Sequence, residues 1–204
     1  MSWQAATAVM LQEHLGLEKF VAAQMYYSLI GRGLEYEFQS FAEYYNIGIL
    51  VWSPLAGGFL SGKYSPANPA PAGTRFAEAG AFVPFDKEMG YRVVEVLKQV
   101  AHRHNASPAR VALAWVLGRP AVSSVIVAAR KVAQLEDNIA ATDLQLSDED
   151  LRLLDAASDP GVPYPKWMVP QLDTAEDPRS KALHPERYAD GGPWKDLRRS
   201  GWSS

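Results

Sequence analysis

Three short apolar runs constrain the fold of this 204-residue chain more than any other feature. They span residues 20–24, 47–52 and 124–128. Each run is continuously apolar instead of alternating, which is typical of strands whose two faces are both buried in a parallel sheet. Because helical patterns separate the runs, we predict an α/β fold in which helices cover a parallel sheet.

Helical patterns account for much of the remaining sequence. One helix face is formed by apolar side chains at three- and four-residue spacing, namely Leu34, Phe38, Phe41, Ala42 and Tyr45. Helices are predicted over residues 3–15, 34–45, 87–104, 107–117, 131–141 and from 147 onwards. In the helix at 131–141 we expect three apolar side chains to face inward: Val132, Leu135 and Ile139.

Two further segments lack a regular pattern. Residues 65–84 form a loop rich in Pro, Gly and Ala, and from residue 159 the composition changes to Pro, Gly and charge. We therefore predict an α/β domain at 1–158 and an irregular tail at 159–204. A closed eight-stranded α/β barrel typically takes about 250 residues. With only three predicted strands, this chain cannot close one alone, and one face of its sheet would stay uncovered.

Composition excludes several classes of function. The net charge of −3, with no long basic run, argues against a nucleic-acid partner. The absence of cysteine excludes disulfides and thiolate metal sites, and it fits a reducing, cytoplasmic compartment. The N-terminal residues do not resemble a signal peptide, and no apolar run reaches the ~18 residues of a membrane helix. His102 and His104 lie two apart on a helix, so we expect surface residues instead of a metal pair.

The second strand opens directly into a glycine-rich loop. The loop begins at a Ser-Pro step and contains Gly57, Gly58, Gly62 and Lys63. Such a loop can present backbone N–H groups and one positive charge to a phosphate. Its spacing matches the P-loop pattern G-x-x-x-x-G-K, but Tyr64 stands where a Ser or Thr must hold Mg²⁺. The prolines that follow also prevent the required helix, so a P-loop NTPase is the least favoured function.

Polar and aromatic side chains stand at the predicted strand ends. They are Gln24, then Trp52 with Ser53, then Arg130. Ligands of parallel α/β sheets bind beyond the C-terminal ends of the strands, so we expect these side chains on one rim beside the glycine loop. Taken alone, Gln24 is equally well explained as the polar end of an apolar strand, and Trp52 as a core residue. Their convergence favours a binding site.

Several motifs resemble those of the aldo-keto reductases, in the branch of bacterial and potassium-channel-β-like proteins. Residues 52–64, Trp-Ser-Pro-Leu-Ala-Gly-Gly-Phe-Leu-Ser-Gly-Lys-Tyr, resemble the loop after the seventh strand of that family. Residues 24–32 resemble its sixth-strand motif. Its C-terminal signature is matched at 112–117, 125–126, 129–130, 134–138, 146–151 and 164–168. The resemblance implies a partial (β/α)₈ TIM barrel, in which this chain supplies the last three strands.

The resemblance also implies a cofactor, NADP(H), and a role for each matching position. Gln24 would bind the nicotinamide carboxamide, and Trp52 would stack on the nicotinamide ring. The loop over the pyrophosphate and sugar would use Ser53, Leu55, Gly57 and Lys63. Around the adenosine, the matching residues are Arg130 and Gln134 at the 2′-phosphate, and Asp137 and Asn138 at the adenine. Ala128 departs from the family, which usually has Gly there, so its methyl group would crowd a phosphate.

The family carries its catalytic Asp, Tyr, Lys and His on its first four strands, and the resemblance places none of them on this chain. We therefore expect an oxidoreductase that reduces a small carbonyl substrate only when a complementary half barrel is supplied. The alternative is a non-catalytic nucleotide-binding or interaction module that self-associates through its uncovered strand faces. We expect the isolated chain to show no turnover and to be oligomeric or partly molten.

Overall fold

One parallel sheet of three strands forms the centre of the computed structural model, which describes residues 2–74, 78 and 83–168. The strands are β1 (Ala22–Tyr26), β2 (Gly48–Trp52) and β3 (Val122–Val125), in the order β1-β2-β3. The helices are α1 (Ser2–Leu15), α2 (Phe38–Tyr44), α3 (Lys87–Arg103), α4 (Pro108–Leu117), α5 (Val132–Ile139) and α6 (Asp148–Ala157). Short 3₁₀ segments occupy Gly33–Tyr36, Ala56–Ser61 and Ala140–Thr142. The predicted α/β class with three parallel strands is confirmed.

Pairing with β2 decides where β1 lies. The predicted strand at 20–24 is present, but its limits lie two residues too early, because the ladder begins with Ala22 opposite Gly48 and ends with Tyr26 opposite Trp52. Phe20 and Val21 precede the strand and are exposed. The apolar run and the paired segment are therefore offset, since hydrogen bonding to the neighbouring strand fixes the register.

The observed β3 begins two residues earlier than predicted, and it contains a bulge. The predicted strand at 124–128 is present with different limits, since pairing begins with Val122 opposite Ile49 and ends at Val125. Leu50 pairs with Ser124, so Ser123 is an additional residue on this strand. An extra residue of this kind disrupts the ladder locally and cannot be read from apolarity.

Side-chain caps begin three of the helices. The Asp86 carboxylate accepts hydrogen bonds from the N–H groups of Glu88 and Met89 and starts α3. Ser107 caps α4 in the same way, with Pro108 in its first turn as predicted. At α6, Ser147 and Asp150 form a reciprocal capping box.

Helices bury one face of the sheet, while the other face is open within the described residues. In β2, Ile49 and Val51 are fully buried and belong to the same core as α3 and α4. Leu50 and Trp52 alternate with them and are only half-buried. Gln24, which pairs with Leu50, is exposed. The described structure therefore has the uncovered sheet face that the low strand number predicted.

The apolar stripe of α5 faces away from the core. Val132, Leu135 and Ile139 are 73%, 43% and 57% exposed, so the prediction that they face inward is wrong. The side of α5 that packs on α4 is polar, because Asp137 forms an ion pair with Arg110 of α4 at 2.6 Å. This ion pair orients the helix, and the apolar stripe is left uncovered in the part of the chain that the structure describes.

The chain divides into two units, Met1–Pro160 and Gly161–Ser204. Of the second unit the structure describes Gly161–Met168, in which the rings of Tyr164 and Trp167 make an edge contact. The rest of the predicted irregular tail, residues 169–204, lies outside the described residues, as does part of the loop at 65–84. The predicted domain boundary at 158 stays a prediction.

Candidate functional site

The open face of the sheet carries three side chains of the candidate site. Register and strand alternation place Gln24, Tyr26 and Trp52 on this face. The sequence predicted Gln24 at the end of a strand. In the structure it lies in the middle of β1, opposite Leu50. Tyr26 occupies the strand end, and its ring centroid lies 5.1 Å from that of Trp52. Sequence reasoning missed Tyr26, although it follows Gln24 by the two residues that separate neighbours on one face.

The loop after β2 has an unusual backbone that its own hydrogen bonds hold. Five residues adopt left-handed φ values: Ser53, Ala56, Gly57, Gly58 and Gly62. Ser53 and Ala56 carry side chains, so their conformations are strained. Ser53 stabilises the turn twice, because its carbonyl accepts from Ala56 N–H at 2.9 Å and its Oγ accepts from Gly57 N–H at 3.2 Å. Strain that surrounding structure maintains is found mostly at functional sites.

Aromatic packing anchors the far end of this loop. Phe59 and Tyr64 are buried and stack with their centroids 5.1 Å apart. Gly62 lies so close to Pro108 that an added Cβ would be 2.8 Å from the proline Cγ. Leu55 remains half-buried and Lys63 is exposed. The loop is therefore pre-formed, with Lys63 directed to its surface.

The same segment excludes a P-loop. Tyr64 occupies the position of the Mg²⁺-binding hydroxyl and is buried in the core. The chain then makes a bridge between Ser65 and Asn68 instead of entering a helix. A P-loop needs a helix at that point so that the helix N-terminus faces the phosphates.

A second group of candidate residues lies at the start of α5. The Gln134 side chain accepts a hydrogen bond from Arg130 N–H at 3.0 Å and shapes the turn before the helix. The Arg130 guanidinium is 69% exposed and contacts the Glu78 carboxylate at 3.2 Å. Exposed pairs of this kind contribute about 0–1 kcal/mol, so a phosphate can replace Glu78 at little cost.

Asp137, further along α5, faces α4. Asp137 accepts hydrogen bonds from the Ser107 hydroxyl and from Arg110 Nε, the latter at 3.0 Å. Asn138 is half-buried beside it. The Asp137 carboxylate is thus fixed by α4, and its role at an adenine stays a prediction.

The sheet brings the two groups to one edge. Ile126 N–H donates to Val51 C=O at 2.8 Å, just before each chain segment leaves the sheet. The segment leading to Arg130 therefore leaves beside the segment leading to Trp52 and Ser53. Both segments leave at the C-terminal edge of the sheet, and Gln24 lies two register pairs before the strand end, while the convergence of these side chains on one site stays a prediction.

Other candidate sites are weaker. His104 is not a free surface residue, since its Nε2 contacts Asp150 Oδ2 at 2.8 Å. Among the described residues, no group of three His, Cys, Asp or Glu side chains could hold a metal ion. Within the same residues, no helix is long and apolar enough to cross a membrane.

Comparison with curated proteins finds several that are about one-third identical to this chain. The Bacillus subtilis protein described as uncharacterized oxidoreductase YrpG is 34% identical over 165 residues, which cover 80% of this chain and 48% of the relative. Protein tas of Escherichia coli is 34% identical, with 76% and 46% covered. A probable voltage-gated potassium channel subunit beta of Oryza sativa is 35% identical, with 69% and 44% covered. The chain thus spans about half the length of the curated relatives it matches.

A family model extends the match to nearly the whole first unit. The model described as the aldo/keto reductase family matches residues 2–159. The matched span contains all three strands, the strained loop after β2 and the Arg130–Asn138 group. The chain belongs to the aldo/keto reductase family.

Proposed function

We propose that the chain binds NADP(H) at the C-terminal edge of its sheet and is the cofactor-binding, C-terminal half of an aldo-keto reductase-type oxidoreductase. The observation that carries this proposal is the arrangement of Trp52 on an open sheet face, continuous with the strained loop that begins at Ser53. A half-buried aromatic ring beside a pre-formed loop suits a flat, charged ligand better than it suits a core.

The nicotinamide end fits Gln24 and Trp52. A primary carboxamide has one acceptor and two donors, and the exposed amide of Gln24 has the complementary groups. Trp52 offers a large aromatic surface on the same sheet face. When bound, the nicotinamide supplies the hydride; the protein residues hold the ring and exclude water on one side.

The phosphates fit the loop and the start of α5. The loop of Ser53, Leu55 and Gly57 is held by a hydrogen bond from Gly57 N–H to Ser53 Oγ, and Lys63 adds an exposed positive charge. Arg130 sits just before the N-terminus of α5, where a helix dipole favours an anion. Its weak pair with Glu78 leaves the guanidinium fork available to a 2′-phosphate, and this supports NADP(H) over NAD(H).

Carbonyl reduction also needs a proton donor near the hydride acceptor. We assign this acid, and the rest of the catalytic set, to a complementary half barrel that would cover the open sheet face. The complement would come from another chain or from further sequence of the same protein. The relatives' length, about twice the matched span, supports this assignment. The substrate would be a small carbonyl compound or alcohol, and the cysteine-free composition favours the cytoplasm.

A second function, a non-catalytic interaction module, is favoured by the exposed apolar side chains that flank the sheet. Phe20 and Val21 precede β1, and Ile126 and Val132 follow β3; all four are exposed. Such a module would associate through these flanks without needing a nucleotide. Cofactor binding therefore separates the two functions.

The discriminating experiment is a titration of the pure chain with NADPH, followed by the change in nicotinamide fluorescence on binding. We expect saturable 1:1 binding that Trp52→Leu weakens roughly ten-fold, because base–aromatic stacking contributes about 1–3 kcal/mol. Trp3→Leu is the matched control, since Trp3 is exposed on α1. No saturable binding, or equal effects of the two substitutions, would overturn the proposal.

A further inference from the structure

Tyr26 and Trp52 form a cross-strand aromatic pair at the end of β1 and β2. They are register partners, their ring centroids lie 5.1 Å apart, and their planes are tilted by 39°. Such pairs are the unit that fixes side-chain orientation on a sheet face. Trp52 is the last residue of its strand, so Tyr26 packs directly against it on the β1 side.

The turn after β1 is shaped around the Tyr26 ring. Its hydroxyl hydrogen-bonds the hydroxyl of Ser28, which is fully buried, at 3.0 Å. Gly31 closes the turn with backbone hydrogen bonds to Ser28. A Cβ added at Gly31 would overlap the Cε1, Cζ and hydroxyl of Tyr26. The ring is therefore held at three places: by Trp52, by Ser28 and by the absence of a side chain at Gly31.

Burial raises the pKa of the Tyr26 hydroxyl above its ordinary value. The group thus remains a neutral hydrogen-bonding partner of Ser28 at physiological pH. Its orientation is fixed by packing and by one hydrogen bond, and neither depends on a ligand.

We infer that Tyr26 is a positioning residue, which sets the plane of the Trp52 ring on which the nicotinamide is to stack. This inference rests on the proposed function, because it needs a nicotinamide at Trp52. A tryptophan at a strand end beside an open face has several staggered rotamers available, and packing against the Tyr26 ring restricts that choice. If the Trp52 ring is fixed before binding, the entropic cost of ordering it on binding is removed. This affects only ligands that carry the nicotinamide.

Gly31→Ala tests this while leaving both aromatic residues in the sequence. The new methyl group must displace the Tyr26 ring, which is the movable partner, and the displacement reaches Trp52. The matched control is Gly33→Ala, because a Cβ there meets no atom within 4 Å. A third variant, Tyr26→Leu, removes the ring, and Gly31→Ala should have no further effect in its background. Thermal melts of all variants establish that each is folded.

Two ligands separate positioning from general damage: NADPH and adenosine 2′,5′-bisphosphate, which lacks the nicotinamide. Both are titrated by calorimetry. Gly31→Ala and Tyr26→Leu should weaken NADPH roughly five-fold, the value of one aromatic contact, and leave the bisphosphate unchanged. Gly33→Ala should change neither. Unchanged NADPH binding in Gly31→Ala and Tyr26→Leu, or equal losses for both ligands, overturns the inference about Tyr26 but leaves the proposed function standing. If the wild-type chain binds neither ligand, the proposed function itself fails, and the inference fails with it.

Discussion

Unlike Asp137, which α4 fixes, some side chains of the candidate site are held by partners that a ligand can replace. Arg130 shows this most clearly, since its guanidinium contacts only an exposed carboxylate, Glu78, among the ion pairs of the described residues. Its backbone, in contrast, is fixed by the Gln134 side chain. A fixed backbone with an exchangeable head group is what a phosphate-binding arginine requires.

Replacing Arg130 by methionine should therefore weaken NADPH binding roughly ten-fold and leave NADH binding unchanged, because a charge-assisted bond to the 2′-phosphate is lost. Calorimetric titration with each nucleotide measures this. Arg152→Met is the control, as Arg152 is exposed on α6. Equal losses for NADH and NADPH would place Arg130 elsewhere than at the 2′-phosphate.

Residue types named most of the candidate residues, and contacts between distant residues added others. Trp52 was identified at the end of an apolar run, and Ser53 and Arg130 from their places after such runs. Tyr26 was missed because the strand was predicted two residues too early, so that Tyr26 fell beyond its end. The ion pair of Asp137 with Arg110 was also missed, because it depends on how α5 packs against α4, and the local sequence pattern does not predict this packing.

At the level of elements, the start of α6 links two helices through one buried carboxylate. Asp150 accepts from Ser147 within the capping box and contacts His104 at the end of α3. Hydrogen bonds from Ser147 and His104 outweigh the effect of burial and hold the pKa of Asp150 at about 2. Because the folded-state pKa lies below the unfolded value of about 4, this group stabilises the fold above pH 4. The contribution is lost as the pH falls from 4 towards 2.

Asp150→Asn should lower the free energy of unfolding by roughly 2–3 kcal/mol at pH 7, the equivalent of a pKa difference of nearly two units. The gap between wild type and variant should close as the pH approaches 2. Urea denaturation followed by circular dichroism at a series of pH values measures both. Asp148→Asn is the matched control in the same turn, where the side chain is exposed. A gap that persists unchanged to pH 2 would contradict the role of the Asp150 charge.

Helix starts were predictable where strand limits were not. Ser107 with Pro108 and Ser147 with Asp150 are local signals, and the helices begin where they indicate. The limits of β1 and β3 depend on pairing with β2 and on a bulge, which are non-local. The predicted orientation of α5 was wrong for the same reason, since it depends on the contact of Asp137 with Arg110 of another helix.

On the scale of the whole molecule, apolar side chains are exposed at both flanks of the three-stranded sheet. Val21, 80% exposed, precedes β1, and the stripe of Val132 and Ile139 follows β3. Exposed apolar surface of this kind favours association. The low number of strands predicted an uncovered sheet face. The exposure of the apolar side chains on α5 was not predicted from the sequence and is seen only in the structure.

We therefore predict that the isolated chain self-associates, and that Val21→Lys combined with Val132→Lys shifts it towards monomer without loss of thermal stability. Size-exclusion chromatography with light scattering measures the mass over a range of concentrations. Gln99→Lys adds one positive charge on an exposed position of α3 and serves as the control. A wild-type chain that is monomeric at all concentrations would show that these flanks do not drive association.

The most direct test of the central claim, a cofactor site that needs a complement for chemistry, is the loss of NADPH absorbance with a simple aldehyde. The pure 204-residue chain is assayed alone and then with the unmatched half of a bacterial relative added as a separate polypeptide. We predict no turnover by the chain alone and NADPH consumption after the complement is added. Steady NADPH-dependent turnover by the pure chain alone would contradict the account.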